Sequence, residues 1–264
     1  MSYSRWRVLA GTTLAVLGAT ATTAQVAGAK SVDMVQDLKV TIRPTKSGTA
    51  KKPKPAAIGV TISSPTPEPA ATESVKVLFG KGIRFNNRSF PTCSLKAIKS
   101  SKSIARCPKG SIVGKGSARA IGFPGGGTEL PESLSVTAIN STGNSLLLWV
   151  VGTAPLPVAD ALVGKLGKAS GKYAHRLDVT IPKALREVIP GIYAPLVSFK
   201  VNVKATTTVK KGKGKKAKKV KVPYVETTRC PSGGWPFQAD FTFDQAAPFT
   251  ADPLTAVSPA AKCK

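Results

Sequence analysis

The side chains that could do acid–base chemistry in this chain are few and poorly placed for it. The single histidine, His175, stands on a segment that alternates as a β-strand, with Asp178 on the opposite face. A carboxylate on the other face cannot orient the imidazole ring, so the pattern favours a packed histidine over a general base. Asp240 and Asp244 share a strand face, but four residues of strand separate their Cα atoms by about 13 Å, which is wide for a glycosidase pair. Since the chain has 39 Lys and Arg residues, we expect both acids to form salt bridges.

The cysteines are the second candidate for chemistry, and there are four of them, Cys93, Cys107, Cys230 and Cys263. None belongs to a C-x-x-C pair of the kind that zinc sites use, and an even number in an exported chain is typical of two disulfides. Three connectivities are possible. We favour Cys93–Cys107 with Cys230–Cys263, because each bond then joins neighbours in the sequence; the first closes a loop of about 15 residues, worth about 3 kcal/mol. The sequence thus predicts no catalytic residue, no metal site and no cofactor.

The densest charge in the chain is the lysine run between residues 210 and 219. Such a flexible group of lysines binds phosphates or sulfates without reading sequence, and the binding falls steeply with salt. No aromatic residue is interleaved, so stacking on bases is not indicated and no specific nucleic-acid recognition is predicted. The alternative is that the lysines keep a hairpin tip solvated and discourage edge pairing. The candidate polyanion-binding residues are Lys210, Lys211, Lys213, Lys215, Lys216, Lys218 and Lys219.

The N-terminus predicts export from the cytoplasm. Two arginines precede an apolar run of small residues, which ends in an A-x-A site. This is the pattern of a secretory signal peptide, with cleavage between Ala29 and Lys30. No later apolar run is long enough to span a bilayer. We therefore expect a signal peptide over residues 1–29 and a mature chain, residues 30–264, that is secreted to the exterior of the cell envelope without a transmembrane segment.

A fold rich in short strands must position these residues. Aromatic residues make up 6% of the chain, which has 24 Gly and 21 Pro, and this composition suits many turns better than long helices. Segments of alternating apolar and polar residues are separated by turn signals. The sequence predicts an all-β fold with few short helices, an antiparallel β-sandwich or partly open barrel of roughly ten strands. It forms a single domain with basic loops at 44–55 and 210–219.

Three segments carry more specific structural predictions. The run LLLWVV, residues 146–151, is continuously apolar, so it should be a buried central strand with Trp149 in the core. The alternating stretches on either side of the lysine run, 196–209 and 220–226, should pair as a long antiparallel hairpin. In 158–166, apolar residues recur at every fourth position, and this spacing predicts a short helix.

The segment 82–117 is the most motif-like part of the chain. It contains GIRFNNRSFPTCS, followed by CPKGSIVGKGSA. It resembles a stretch of secreted, disulfide-containing, β-rich proteins of high-GC Gram-positive bacteria, in which a P-x-C-S motif precedes C-P-x-x-S-x-V-G. The matching positions are Gly82, Asn86, Pro91, Cys93, Ser94, Cys107, Pro108, Ser111, Val113 and Gly114. The resemblance implies an extracellular protein with a Cys93–Cys107 bond, and it supplies no activity.

The charge of the chain bounds its function. A net charge of +26 favours contact with anionic surfaces. Together with the missing catalytic set, the sequence predicts a secreted, non-enzymatic protein of the cell exterior or cell surface, and it predicts no oligomeric state. The alternative is a protein that binds an anionic cell-wall polymer, an acidic glycan or extracellular nucleic acid through its lysine-rich loops. A secreted hydrolase is the third hypothesis, because the loops of a sandwich can assemble a site from scattered residues.

Overall fold

The computed structural model of the protein describes residues 29–125, 128–212 and 217–264. In chain order its strands are β1 (Lys30–Ser31), β2 (Asp37–Arg43), β3 (Lys54–Ser63), β4 (Thr72–Gly80), β5 (Ile83–Phe85), β6 (Ile112–Gly125), β7 (Thr128–Ser141), β8 (Ser145–Gly152), β9 (Val158–Lys168), β10 (Tyr173–Thr180), β11 (Glu187–Ile189), β12 (Ile192–Tyr193), β13 (Leu196–Val203), β14 (Thr206–Lys211), β15 (Lys218–Pro223), β16 (Val225–Thr227), β17 (Trp235–Phe243), β18 (Phe249–Thr250) and β19 (Leu254–Ala261). The helices are α1 (Leu95–Ser101) and α2 (Lys183–Arg186), and a 3₁₀ turn covers Asn87–Ser89. The all-β prediction is therefore confirmed.

One large antiparallel sheet contains most of these strands. Its neighbours follow the order β19-β17-β4-β10-β9-β8-β7-β6-β13-β3-β16-β5, and β2 also pairs with β3, which gives 13 strands. The section from β6 to β10 is a run of hairpins in which consecutive strands are paired. Outside this sheet, the described chain forms the two-stranded pairs β1–β18, β11–β12 and β14–β15.

The strands form where apolar and polar residues alternate. In β2 and β17, every second side chain is buried and the residues between them are exposed or half-buried. The register places Val40 of β2 opposite Val60 of β3, and Phe237 of β17 opposite Phe79 of β4. The apolar positions of neighbouring strands therefore share one face of the sheet, and a slip of one residue would expose them all.

The large sheet curves until β19, at one end of the order, lies beside β2. The N–H of Val40 donates a hydrogen bond to the hydroxyl of Ser258 at 3.0 Å. In the described residues no backbone ladder joins β2 to β19, so the sheet is curved but not closed. Its concave face encloses an apolar interior, which Phe237, Phe241 and Phe243 of β17 help to fill.

The convex face of β7, β8 and β9 carries a separate apolar cluster. Leu147 and Trp149 of β8 pack there with Ile139 of β7, Ala161 of β9 and Ile98 of α1. Since the alternate residues of β8 face the concave interior, this strand is buried on both faces. The prediction of a buried central strand for LLLWVV is confirmed, and Trp149 is 6% exposed.

A disulfide-closed segment, residues 93–107, covers this cluster. It contains α1, which begins after Ser94; the Ser94 hydroxyl accepts a hydrogen bond from the N–H of Ala97 at 3.1 Å. Such a cap satisfies one of the free amides of the first turn. The Cys93–Cys107 bond closes the segment, and Cys230–Cys263 joins the approach to β17 to the C-terminal residues. Both pairings are those that the sequence favours.

Some local predictions are wrong. Residues 158–166 lie in strand β9 and not in a helix, because a spacing of four residues satisfies a period of two as well as a helical period. The predicted strand 196–209 is interrupted: β13 ends at Val203 and β14 begins at Thr206. The interruption has a topological cause, because β13 pairs with β3 and β6 inside the large sheet whereas β14 pairs with β15.

The predicted basic loops are shorter than 44–55 and 210–219. Strand β3 already begins at Lys54, and the two ends of the second stretch belong to β14 and β15. The predicted signal peptide lies outside the described residues except for Ala29, and it stays a prediction. Within the described ranges, none of the helices has the length and apolar character needed to cross a membrane.

Candidate functional site

The concave interior of the large sheet contains an apolar cavity of about 180 Å³. Its lining comes from β3, β4, β6, β7, β8, β9, β10 and β13, each of which turns every second residue inward. Strand β8, for example, contributes Leu146, Leu148 and Val150. The same alternation that forms the sheet therefore builds the wall of the cavity.

The space arises because β6 carries small residues at inward positions. Ala118, Ala120 and Gly122 are consecutive inward residues of β6, and all three line the cavity. Opposite them stand large aliphatic side chains such as Leu162 and Val179. Larger residues on β6 would fill the interior, as the phenylalanines of β17 do elsewhere.

The two ends of the cavity differ. At one end, Phe79, Phe85 and Tyr224 meet edge to face, with ring centroids 5.2 Å apart for the first two and 6.3 Å for the last two. We call this the aromatic end. At the other end the lining includes an exposed residue, Pro155, among half-buried ones. We call this end the mouth; it is formed by Leu130, Pro155, Leu156, Val188 and Ile192.

Leaving such a volume empty destabilises a protein. At the cavity cost measured in core mutants, 180 Å³ corresponds to about 4 kcal/mol. Domains are commonly stable by only about 5–15 kcal/mol, so the cost is a large fraction of the total. An apolar molecule that occupied the cavity would recover the missing contacts.

One acidic side chain projects into this apolar interior. Glu132 of β7 lies in phase with Leu130 and Leu134 and is 7% exposed. Its Oε2 accepts a hydrogen bond from the N–H of Leu156 at 3.3 Å. Its Oε1 is buried and has no hydrogen-bond partner in the described part of the chain. Buried polar atoms are rarely left unpaired, so this oxygen marks the polar point of the cavity.

The carboxyl group of Glu132 lies over the backbone of Gly152 in β8. A methyl group on Gly152 would collide with Oε1 of Glu132 and with the side chain of Leu134. The absence of a side chain at this position therefore allows the carboxyl group to lie flat against the sheet, beside the mouth.

Arg186 also lines the cavity, but its guanidinium is engaged outside it. It forms an ion pair with Asp244, lies 3.7 Å from Glu73 and donates a hydrogen bond to the carbonyl of Ile181 at 3.1 Å. Two carboxylates thus balance the charge of Arg186. In the described residues it makes no ion pair with Glu132, whose Oε1 stays free.

His175 is a packed residue at the aromatic end. Its ring lies edge to face with Phe85, with centroids 5.5 Å apart. Burial lowers the pKa of His175, and a hydrogen bond with the backbone of Ile83 partly opposes this effect. Asp178 faces away and pairs with Arg176, with Nε and Oδ2 2.9 Å apart. The predicted separation of His175 from Asp178 is therefore confirmed.

Asp240 and Asp244 are not brought together either. Asp244 forms the expected salt bridge, with Arg186. Asp240 has no ion-pair partner among the described residues, contrary to the expectation, and it accepts hydrogen bonds from Gln238 at 2.7 Å and from Thr255 at 2.9 Å. The reason is local: Gln238 shares its strand face and Thr255 is its direct partner on β19.

The described lysines of the run, Lys210, Lys211, Lys218 and Lys219, lie in strands β14 and β15. Among the described strands, β14 and β15 pair only with each other. Lys210 stands directly opposite Lys219, and Lys211 opposite Lys218, and all four are exposed. Like charges in directly opposed positions repel. The remaining candidates, Lys213, Lys215 and Lys216, lie outside the described residues.

Comparison with family models, with curated proteins and with solved structures finds no match to this chain. The function therefore has to be argued from the site itself.

The sequence contains two signals for the cavity, although neither predicts it alone. In LPESLSV, residues 130–136, the acid Glu132 takes an inward position among Leu130, Leu134 and Val136. In SARAIG, residues 117–122, the inward positions of an alternating strand are small. Each signal gains its meaning only when the register shows that Ala120 and Glu132 are direct partners.

Proposed function

We propose that the protein is a secreted, non-enzymatic binding protein that holds an apolar small molecule in its interior. The observation that carries the proposal is the apolar cavity of about 180 Å³ with a mouth at one end. Ligand sites are typically concave and apolar with few polar groups. An apolar cavity of about 150 Å³ is known to hold benzene, so this one suits a ring or chain of about eight carbon atoms.

The compartment is supported by the signal-peptide pattern and by the two disulfides, which are typical of chains that fold outside the cytoplasm. The non-enzymatic character is supported by the lining of the cavity. In its described part, Glu132 is the single acid and no nucleophile stands beside a base. Binding without chemical change is the function that such a lining supports best.

The test is titration of an apolar probe into the exported protein. The full-length gene is expressed in a host with a secretion pathway, and the product is taken from the medium; its N-terminal sequence should begin at Lys30. Toluene and 1-octanol are titrated by calorimetry, and the unfolding midpoint is followed in parallel. We expect saturable binding and a rise of the midpoint, because a ligand that binds only the folded state stabilises it. If neither probe binds, the proposal is wrong.

A pair of variants links the binding to the cavity. In Ala118→Phe the new ring enters the cavity from β6, and we expect at least a ten-fold loss of toluene affinity with no loss of stability. The control is Ala159→Phe, which adds the same ring at an exposed position of β9. Equal toluene affinity in the two variants would place the bound probe elsewhere.

A second candidate function is polyanion binding by the β14–β15 hairpin. The observation that favours it is the pairing of exposed lysines across the hairpin, Lys210 with Lys219 and Lys211 with Lys218. Because successive residues of a strand point to opposite faces, each face of the hairpin carries one such pair. The two ammonium groups of a pair repel each other, and a bound polyanion relieves this repulsion while releasing its own counterions. The solvated hairpin tip is the competing explanation.

Retention on heparin over a salt series separates these two explanations. Changing the four paired lysines to glutamine should lower the eluting salt concentration and flatten the salt dependence of binding, because each phosphate or sulfate contact contributes to that slope. The control removes four exposed lysines in and beside the disulfide-closed segment, Lys96, Lys99, Lys102 and Lys109. Equal shifts in both variants would assign retention to net charge and not to the hairpin.

A further inference from the structure

The unpaired oxygen of Glu132 restricts the chemistry of the ligand more than the volume and apolar lining of the cavity do. Oε1 is buried in the cavity wall without a hydrogen-bond partner in the described residues, whereas Oε2 is held by the N–H of Leu156. A carboxyl group so placed is oriented by the protein, and one acceptor atom remains available to an occupant of the cavity. A water molecule or a donor group of a ligand can form the missing hydrogen bond to this atom.

In the described ranges no side chain donates a hydrogen bond to this oxygen. The neighbouring inward residues Leu130, Leu134 and Val150 are aliphatic. Arg186, the other charged residue of the lining, is committed to Asp244 and Glu73. A negatively charged ligand head group would meet Glu132 across an apolar space, where repulsion is screened less than in water.

We propose that the ligand has an apolar body with a hydrogen-bond donor at one end, a hydroxyl or an amine, and that this donor binds Oε1 of Glu132. The inference rests on the proposed function, since it concerns the occupant of the same cavity. Glu132 lies beside the mouth, so the donor stays near the entrance and the apolar body extends along Leu148 and Val150 towards Phe85 at the aromatic end.

The position of Gly152 supports this orientation. Because no side chain projects from Gly152, the Glu132 carboxyl group lies against the sheet and does not block the mouth. A fatty acid and a fatty amine of equal length would fill the same apolar space. Glu132 is therefore the residue that discriminates between them.

The experiment compares 1-octylamine, 1-octanol and octanoate, which share one chain and differ in the head group. Calorimetry with the exported wild-type protein should give the affinity order amine, alcohol, carboxylate, with at least a ten-fold difference between the first and the last. Hydrogen bonds between charged partners are stronger than neutral ones, which places the amine first.

The variant that tests the role of the carboxylate is Glu132→Gln, which keeps the shape and removes the charge. We expect it to lower the octylamine affinity at least ten-fold and to reduce the disadvantage of octanoate. The control is Glu129→Gln, an exposed acid on the same strand, which should leave all three affinities unchanged.

The outcomes separate this inference from the proposed function. If octanoate binds the wild type as tightly as octylamine, or if Glu132→Gln keeps the wild-type order, the donor inference is overturned although binding in the cavity stands. If none of the three probes binds, the proposed function and this inference fall together. The wild-type order is a test on its own, so the inference stays falsifiable even if the variant folds poorly.

Discussion

The two faces of strand β8 pack against apolar layers that are filled to different degrees. On the convex face, Leu147 and Trp149 contact Ile98 of α1, and the disulfide-closed segment seals the cluster. On the concave face, Leu146, Leu148 and Val150 border a cavity of about 180 Å³. Trp149 makes the convex face of β8 bulkier, and the elements opposite the two faces also differ: α1 covers the convex face, whereas the concave face borders the small residues of β6 across the cavity.

This contrast shows how the molecule keeps an empty space without losing its fold. The convex layer is filled and also cross-linked, and it holds β7, β8 and β9 in place from outside. The concave layer faces the small residues of β6 and stays open. The packed convex layer therefore supports the wall of the cavity from outside.

The largest expected effect distinguishes two adjacent leucines of β8. Leu147 is 1% exposed on the convex face, and Leu148 is 6% exposed beside the cavity. We expect Leu147→Ala to lower the free energy of unfolding by about 4 kcal/mol and Leu148→Ala by about 2 kcal/mol. Leu148 already borders empty space and has fewer contacts to lose. Denaturant unfolding measures both, and equal losses would mean that the concave side is as well packed as the convex side.

The burial of β8 could be predicted from the sequence. The continuous run LLLWVV predicts burial of β8, and the Cys93–Cys107 pairing predicts a closed segment, although only the structure places that segment against β8. Strand alternation likewise predicts the class of the fold. These features depend on residues close together in the chain, where spacing alone constrains structure.

The cavity on the concave side could not be predicted from the sequence. The cavity depends on which strands are neighbours, because Ala120 of β6, Glu132 of β7 and Gly152 of β8 meet only through strand pairing. The predicted helix over 158–166 would have removed β9 from the wall altogether. An unfilled volume is a property of side chains that are absent, and the small inward residues of β6 indicate it only when the register of the strands is known.

The second prediction removes the cross-link from the convex side. The double variant Cys93→Ala, Cys107→Ala should lower the free energy of unfolding by about 3 kcal/mol, as expected for a loop of this length. Toluene affinity should remain within two-fold of the wild type at a temperature where the variant is folded, because the cavity lies on the other face. A large loss of affinity would instead mean that the disulfide-closed segment shapes the cavity.

The third prediction tests the packing of Glu132 against Gly152. The variant Gly152→Ala should lower the free energy of unfolding by about 2 kcal/mol, because the new methyl group collides with the Glu132 carboxyl and with Leu134. In a Glu132→Ala background the same change should cost about 1 kcal/mol less, since one of the two collisions is gone. A double-mutant cycle by denaturant unfolding measures the coupling, and strictly additive effects would contradict the contact.

The smallest expected effect is a pH dependence of the free energy of unfolding, and it arises from His175 on the concave side. Burial beside Phe85 lowers the pKa of His175 in the folded protein. The unfolded chain therefore binds a proton first as the pH falls through the ordinary histidine value of about 6.5, and the free energy of unfolding decreases between about pH 7.5 and pH 5.5. The convex cluster contains no titrating side chain among its described members, since Cys93 and Cys107 are bonded.

The measurement is denaturant unfolding of the wild type and of His175→Gln across that range. The pKa of Glu187 is also lowered, first by a hydrogen bond from the N–H of Gly191 and then by Lys183. A carboxylate with a lowered pKa loses its stabilising effect only below the ordinary pKa of glutamate, so Glu187 does not interfere in this pH range. We expect the wild type to lose more stability than His175→Gln as the solution is acidified. Identical losses would show that the imidazole is as well hydrated in the folded protein as in the unfolded chain, and that the aromatic end of the interior is open to water.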